Sequence, residues 1–394
     1  MRFLKYFIII FIIPLTLFAG WTDTAPKHIL MMDLSYRTDT TSQKYDKDGN
    51  VINLSENMEF YDSKGRLQGT LEAPAVNIQK VGLYQLAYGI TDTLTLAVVI
   101  PHIRAAETDL NLHWIPGEFD PALGRAMTLD DFCAYIQGMG QSCPEDWHSK
   151  PNRLGDVVVG FRYLLYQKSS LRLATLMFAS TRSGKVGDQE ILGAVGTTGY
   201  EFGSNGDFGF HFIAEKKWKS LSFNGEVLYE PFITRTFPAS TGSKNPLLLN
   251  NSYYIGDEYK IKPGDYFGIS TGLIITVIKG PDSTTWLTKD NPEMQKQLPP
   301  LLTVEFDYKK IWGAPDRFYS NSEVFNRGKE SGSGWKEKNT LISKLSISLF
   351  RVGIPFDIYG TYSNQELLGG KSFMPLKEWG LGINLYYSLD IWPL

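Results

Sequence analysis

Apolar and polar residues alternate with a period of two through most of this chain, most plainly near its end. Trp379, Leu381, Ile383, Leu385, Tyr387, Leu389 and Ile391 fall on one side. Gly380, Gly382, Asn384, Tyr386, Ser388 and Asp390 fall on the other. A helix would scatter both sets around its circumference, whereas a strand sends successive side chains to opposite faces. The same pattern recurs. Leu221, Phe223, Val227, Tyr229 and Ile233 alternate with Ser222, Asn224, Glu226 and Glu230; Val157, Val159, Phe161, Tyr163 and Leu165 alternate with Asp156, Gly160 and Arg162. Similar alternation covers Phe267 to Val277 and Leu341 to Leu349. About twelve segments qualify, near residues 27–38, 75–88, 93–105, 154–167, 170–182, 207–217, 220–234, 264–279, 300–311, 340–351, 354–364 and 378–390. A transmembrane strand needs ~9–11 residues at typical tilt, and these lengths suit one.

The connections sharpen this into a topology. Short links at Gly89–Asp92, Gln167–Ser170, Lys217–Ser220 and Arg351–Ile354 alternate with long ones at about 39–74, 106–153, 183–206, 235–263, 312–339 and 365–377; the link near 280–299 is the exception. Short periplasmic turns opposite long external loops are the habit of outer-membrane barrels. The expected fold is therefore all-β: a closed antiparallel transmembrane β-barrel of about 12 strands, with both termini on the periplasmic side. The long links read as solvated loops and not as strands. A short helix is expected from about Leu129 to Gly138.

The N-terminus adds a compartment. Arg2 and Lys5 precede an apolar run from Tyr6 to Phe18, and Ala19 and Gly20 follow as small residues. That run is shorter than the ~20 residues of a helical span. Basic flank, short apolar core and small-residue exit together read as a cleavable signal peptide. The expected division is 1–19 signal peptide and 20–394 barrel, in the bacterial outer membrane. Gly20 to about Pro26 then reads as a brief lead-in to the first strand. Composition agrees: 37 Gly, 21 Tyr, 23 Phe and 9 Trp suit strands, turns and membrane interfaces, and a formal charge of −3 offers nothing to nucleic acid. Cys133 and Cys143 share one loop region, and in an exported chain they are expected to form a disulfide.

Some of these residues carry a likeness. Tyr88-Gly-Ile-Thr-Asp-Thr-Leu-Thr-Leu-Ala-Val-Val-Ile-Pro101, Leu154-Gly-Asp-Val-Val-Val-Gly-Phe-Arg-Tyr163 and the strand opening Pro263-Gly-Asp265 resemble motifs of the phenol-degradation MetA-pathway outer-membrane family. The resemblance implies a barrel related to channels for hydrophobic compounds, passing aromatic or apolar small molecules. Fatty-acid-type channels carry a lumen-plugging N-terminal hatch of several tens of residues, for which this chain has no counterpart. The stretch from Glu378 to Leu385 also resembles a C-terminal signal read by the barrel-assembly machinery, although the chain ends in Leu394 and not in an aromatic.

Known catalytic patterns are missing. None of His28, His102, His113, His148 and His211 has a serine two residues later, and no H-E-x-x-H, G-x-S-x-G or phosphate-loop motif occurs. No enzyme activity, metal or cofactor is expected. The polar strand faces are better functional material. With the apolar face toward lipid, Asp33, Arg37, Arg162, Arg172, Glu226, Glu230, Glu305, Asp307, Lys344 and Asp357 point inward, and His211 shares that face. An Arg or Lys left in mid-membrane lipid would cost ~2–4 kcal/mol. Mixed signs suggest ion pairs that brace the lumen or line a permeation path. Tyr36, Trp218, Tyr229, Trp312 and Trp379 are expected in interfacial girdles, while Tyr266, Tyr359 and Tyr386 can face inward. The expected partners are outer-membrane lipid and a small solute. The leading expectation is an outer-membrane channel for small solutes, hydrophobic or aromatic ones among them; the alternative is a structural or adhesive barrel acting through its external loops.

Overall fold

The computed structural model describes residues 22–388 except 55–56, 139–142, 144–145, 150–151, 182, 184–207, 234, 239–257, 263, 282–297, 316, 321–333 and 374. The proposed signal peptide thus lies outside the described residues. Twelve strands form one antiparallel sheet: β1 Ile29–Thr41, β2 Ala75–Thr91, β3 Leu94–Leu110, β4 Val158–Lys168, β5 Leu171–Ser180, β6 Phe208–Trp218, β7 Leu221–Glu230, β8 Tyr266–Ile278, β9 Leu302–Gly313, β10 Lys336–Ser348, β11 Phe356–Asn364 and β12 Lys377–Ser388. Each pairs with its sequence neighbour. The sheet closes where β1 pairs with β12, Ile29 opposite Ser388 through Thr40 opposite Lys377. Closure leaves the barrel wall without an edge strand, so its backbone donors and acceptors are paired around the circumference.

Burial follows the sequence period. In β12, Trp379, Leu381 and Ile383 are exposed on the outer surface, while Gly380, Gly382, Asn384 and Tyr386 are buried. In β6, Phe208, Phe210 and Phe212 face out, and Gly209, His211, Ile213 and Glu215 face in. The barrel is apolar outside and largely polar inside, the reverse of a water-soluble protein. No described helix is long and apolar enough to cross a membrane.

Tight turns join β2 to β3, β4 to β5 and β6 to β7. Ser169 and Lys219 adopt positive φ (51° and 53°), as the two-residue hairpin loops between right-twisted strands require. A 3-10 turn, Phe350–Val352, joins β10 to β11 at the same end. The described ends of the next link, residues 279–281 and 298–301, also lie there, held by Arg351. Its guanidinium donates to the carbonyls of Leu298 and Pro299, both at 3.0 Å.

The long links depart from expectation, because they contain strands. Gln43–Tyr45 pairs with Val51–Asn53. Met58–Tyr61, Leu67–Glu72 and His113–Pro116 form one small sheet, and Arg235–Pro238, Glu258–Lys262 and Arg317–Ser320 form another. These segments are too short to show a period alone; pairing with distant loops makes them strands. Likewise β1 and β3 run past the expected ends and β10 starts early, at Lys336, because strand above the membrane has two polar faces, while β2 runs on to Thr91 at the tight turn. Helix α1, Leu129–Gly138, lies where it was expected. Thr128 caps it: Thr128 N–H and Oγ1 donate to Asp131 Oδ2 at 2.8 and 2.6 Å. Cys133, inside α1, is disulfide-bonded to Cys143. Phe132 and Ile136 from α1 pack on Leu71, with Phe60 and Trp114 beside them, so the external region has its own small core.

Candidate functional site: the barrel lumen

Each charged residue expected inside lies on an inward strand position. They fall into three levels, which the linear sequence does not reveal.

The lowest level, beside the short turns, encloses the N-terminal segment. Thr22 and Ala25 are fully buried. The Thr22 hydroxyl donates to Glu215, which also accepts from Ser222 Oγ at 2.7 Å. Arg172 pairs with the Asp23 carboxylate, Lys217 approaches it at 3.6 Å, and Arg162 donates to the Asp23 carbonyl at 2.9 Å. The Ala25 amide donates to Thr95 Oγ1, and Thr24 Oγ1 to the Asp92 carbonyl, each at 2.7 Å. Around this segment lies an apolar cluster that includes Met31, Ala97, Leu176, Ile213, Ile274, Leu298, Phe350 and Tyr386. The segment Gly20 to about Pro26 was expected only to precede the first strand, and its described residues have a place of their own. Residues 22–25 sit within the lumen, where Asp23 finds a cationic pocket that β4, β5 and β6 assemble by pairing side by side.

The middle level is a polar belt. His211 Nδ1 is 2.7 Å from Glu226 Oε1, and its Nε2 is 3.2 Å from Glu230 Oε1. Glu226 also accepts from Ser270 Oγ at 2.7 Å. Across the barrel, Tyr359 donates to Asp33 at 2.7 Å and Tyr386 to Asp357 at 2.5 Å. The Lys344 ammonium lies 4.7 Å from the Tyr359 ring centroid. Gly382 makes this possible: a Cβ there would come within 2.3 Å of the Tyr359 ring. Tyrosine, histidine and serine thus supply many of the partners that ion pairing was expected to supply. Glu305 and Asp307 share this belt on β9. Below and above the belt, Asn224 (opposite Glu215) and Gln79 (opposite Asp39) bury side-chain amides without a hydrogen-bond partner among the described residues, and a polar group so placed needs water.

The upper level faces the long loops. Arg37 bridges Asp39 at 3.5 Å and Glu378 at 3.3 Å, and Lys336 lies 5.7 Å from the Tyr266 ring centroid. Tyr266, Tyr359 and Tyr386 all face inward, whereas Trp218, Tyr229 and Trp379 are exposed on the outer wall. Glu215, Asp39 and Glu378 were not among the expected inward charges, although period-two counting from His211, Asp33 and Trp379 places all three inside. Thr22 and Asp23 had no signal, since they precede the first strand.

Among solved structures, the chain resembles an outer membrane channel from Pseudomonas putida F1, with a TM-score of 0.55 over 93% of this chain and 98% of that one at 9% identity. That likeness establishes the fold. Lower scores are found for the NanC porin (TM-score 0.36, 8% identity, covering 90% of this chain and 98% of that one) and for the CymD monoaromatic hydrocarbon channel (0.32, 7%, 92% and 89%). No protein-family model and no curated protein matches the chain.

Proposed function

We propose that this protein is an outer-membrane channel for small solutes. The observation that carries the reading is the inverted barrel: a closed twelve-strand wall with Phe, Leu and Trp outside and a belt of Asp, Glu, His, Lys and Arg inside. Such a wall suits lipid on one side and a hydrated path on the other. Barrels of eight strands are filled by side chains and those of sixteen to eighteen leave wide channels; twelve strands suit a constricted one. The Thr22–Ala25 segment and the apolar cluster around it occupy the interior at the periplasmic end, where they would constrict the path.

Cargo is a finer matter. The motif resemblance favours aromatic or apolar molecules, and the apolar cluster near Phe350 and Tyr386 gives them a surface, whereas the middle belt favours polar ones. Planar-bilayer recording tests the channel itself, with discrete conductance steps expected; a silent barrel at all voltages sinks the reading. Uptake of labelled toluene-like solutes by deletion and complemented strains tests the cargo, and identical rates reject the apolar version. The folded external region built on α1 favours a second reading, adhesion. Loss of cell binding on trimming residues 106–153, with transport unaffected, would decide for it.

A further inference from the structure

Outside the lumen, β1 to β3 carry a polar constellation on the outer wall that the channel reading does not use. The outward apolar run of β3, Leu94, Leu96, Val98 and Ile100, stops at His102. Its counterparts on β1 and β2 stop at Tyr36 and Tyr84, and register places Tyr36 opposite Gly82 and Gly82 opposite His102. Tyr36 and His102 therefore lie on one line of the ladder, with Tyr84 one outward step below, where the apolar band meets the headgroup layer on the long-loop side.

At that height a β-bulge opens. Val81 pairs with Ile103 and Lys80 with Ala105, so Arg104 is the extra residue. Bulges re-aim side chains, and this one turns an exposed Arg104 onto the outer wall. Its guanidinium lies over Gly82, where an added Cβ would sit 3.6 Å from Nε, and donates to Tyr84 Oη at 3.1 Å. His102 stands beside it, Nδ1 3.4 Å from the same hydroxyl and Nε2 2.8 Å from Asn152 Oδ1. One turn of the ladder higher, Lys80 is already paired with Glu107 at 2.9 Å. Arg104 has no carboxylate partner among the described residues, which leaves most of its five N–H donors free to bind another group.

We propose that Arg104, steadied by Tyr84 and His102 and flanked by Tyr36, binds the phosphate of a phosphorylated membrane lipid in the outer leaflet. The planar fork of Arg104 matches phosphate oxygens, and the apolar strip formed by Leu34, Leu86, Val98 and Ile100 directly below receives the acyl chains. A free phosphate would use only the first half of this site; a lipid uses both. The inference rests on the membrane-spanning reading of the barrel.

Native mass spectrometry of the protein refolded in micelles doped with bisphosphorylated lipid A tests it. Wild type retains one lipid per barrel. The Arg104→Gln/His102→Gln double variant retains roughly tenfold less, the scale of one lost charge-assisted hydrogen bond. Arg104→Lys falls between, keeping charge without the fork. Lys310→Gln, which removes an outward cation already paired with Glu337 at 2.6 Å, changes nothing. Fully dephosphorylated lipid binds wild type as weakly as the double variant binds the phosphorylated one. Equal retention by wild type and the double variant, an equal loss with Lys310→Gln, or displacement of the lipid by millimolar inorganic phosphate overturns the proposal. Flotation of each variant with vesicles keeps the two readings apart: failure of wild type to insert indicts the membrane barrel, whereas insertion with unselective lipid retention indicts only this site. Arg104→Met serves if the double variant does not fold.

Discussion

The two ends of the lumen solve the same problem with different chemistry. At the short-turn end the interior is filled by an apolar cluster, and the chain's own Thr22–Ala25 segment is pinned there by Arg172, Lys217 and Arg162. At the long-loop end the interior is held by charges, with the buried Arg37 between a buried Asp39 and a partly exposed Glu378. Apolar packing excludes water whatever the sign of a solute; a cluster of fixed charges carries a field that favours one sign. For the proposed channel, the difference teaches where resistance and selectivity should separate: the filled short-turn end is expected to set how much passes, the charged long-loop end what sign passes.

Substitutions can break that division of labour. The largest effect is expected from replacing Thr22–Ala25 with a Gly-Ser stretch, which removes the segment from its pocket. Single-channel conductance should rise several-fold, and an unchanged conductance would show that the lower end is not limiting. Arg172→Ala comes next. It deprives Asp23 of its direct partner, at up to about 3 kcal/mol for a broken buried pair, so current traces should flicker between closed and open levels. Arg37→Ala probes the other end: Asp39 and Glu378 lose their shared cation, and reversal potentials in a salt gradient should move toward cation selectivity with conductance nearly unchanged.

Two smaller predictions concern the external region, which should be separable from both ends. Cys133→Ser opens the short Cys133–Cys143 loop, with roughly 2–3 kcal/mol of local stabilisation lost in the chain-entropy picture. Limited proteolysis should then cut near α1 while conductance stays as it was. The smallest effect is acid loosening of the α1 cap. Hydrogen bonds from Arg125 and Thr128 hold the Asp131 carboxyl below the usual aspartate range. A depressed carboxylate contributes above its ordinary value, about 4, and its contribution is lost as pH falls through the lower folded value. Hydrogen exchange of the first turn of α1 should therefore quicken only below about pH 4. Quickening at neutral pH would contradict the cap.

Much of the wall was legible from the chain. Trp379, Leu381 and Ile383 against Gly382 and Asn384 fix both the strand and its orientation, because lipid and lumen demand opposite chemistry on alternate residues. The same parity located Glu226, Glu230, Asp33 and Asp357 inside. It did not reveal that Tyr359 serves Asp33 or Tyr386 serves Asp357, since partners on neighbouring or next-but-one strands depend on register and not on spacing. Nor did it find the loop sheets: Met58–Tyr61 becomes a strand by pairing with Leu67–Glu72, which in turn pairs with His113–Pro116.

By itself, then, the sequence determined strand number, the apolar outer face, the charged inner face, the position of α1 and the candidate disulfide. Each of these depends on a local period, a cap signal or a residue count. Tertiary structure alone decided that Asp23 enters the lumen, that the inner charges separate into three levels, and that Arg104 emerges on the outer wall. A cationic pocket made by β4, β5 and β6, and a bulge between β2 and β3, exist only once distant segments pair in register.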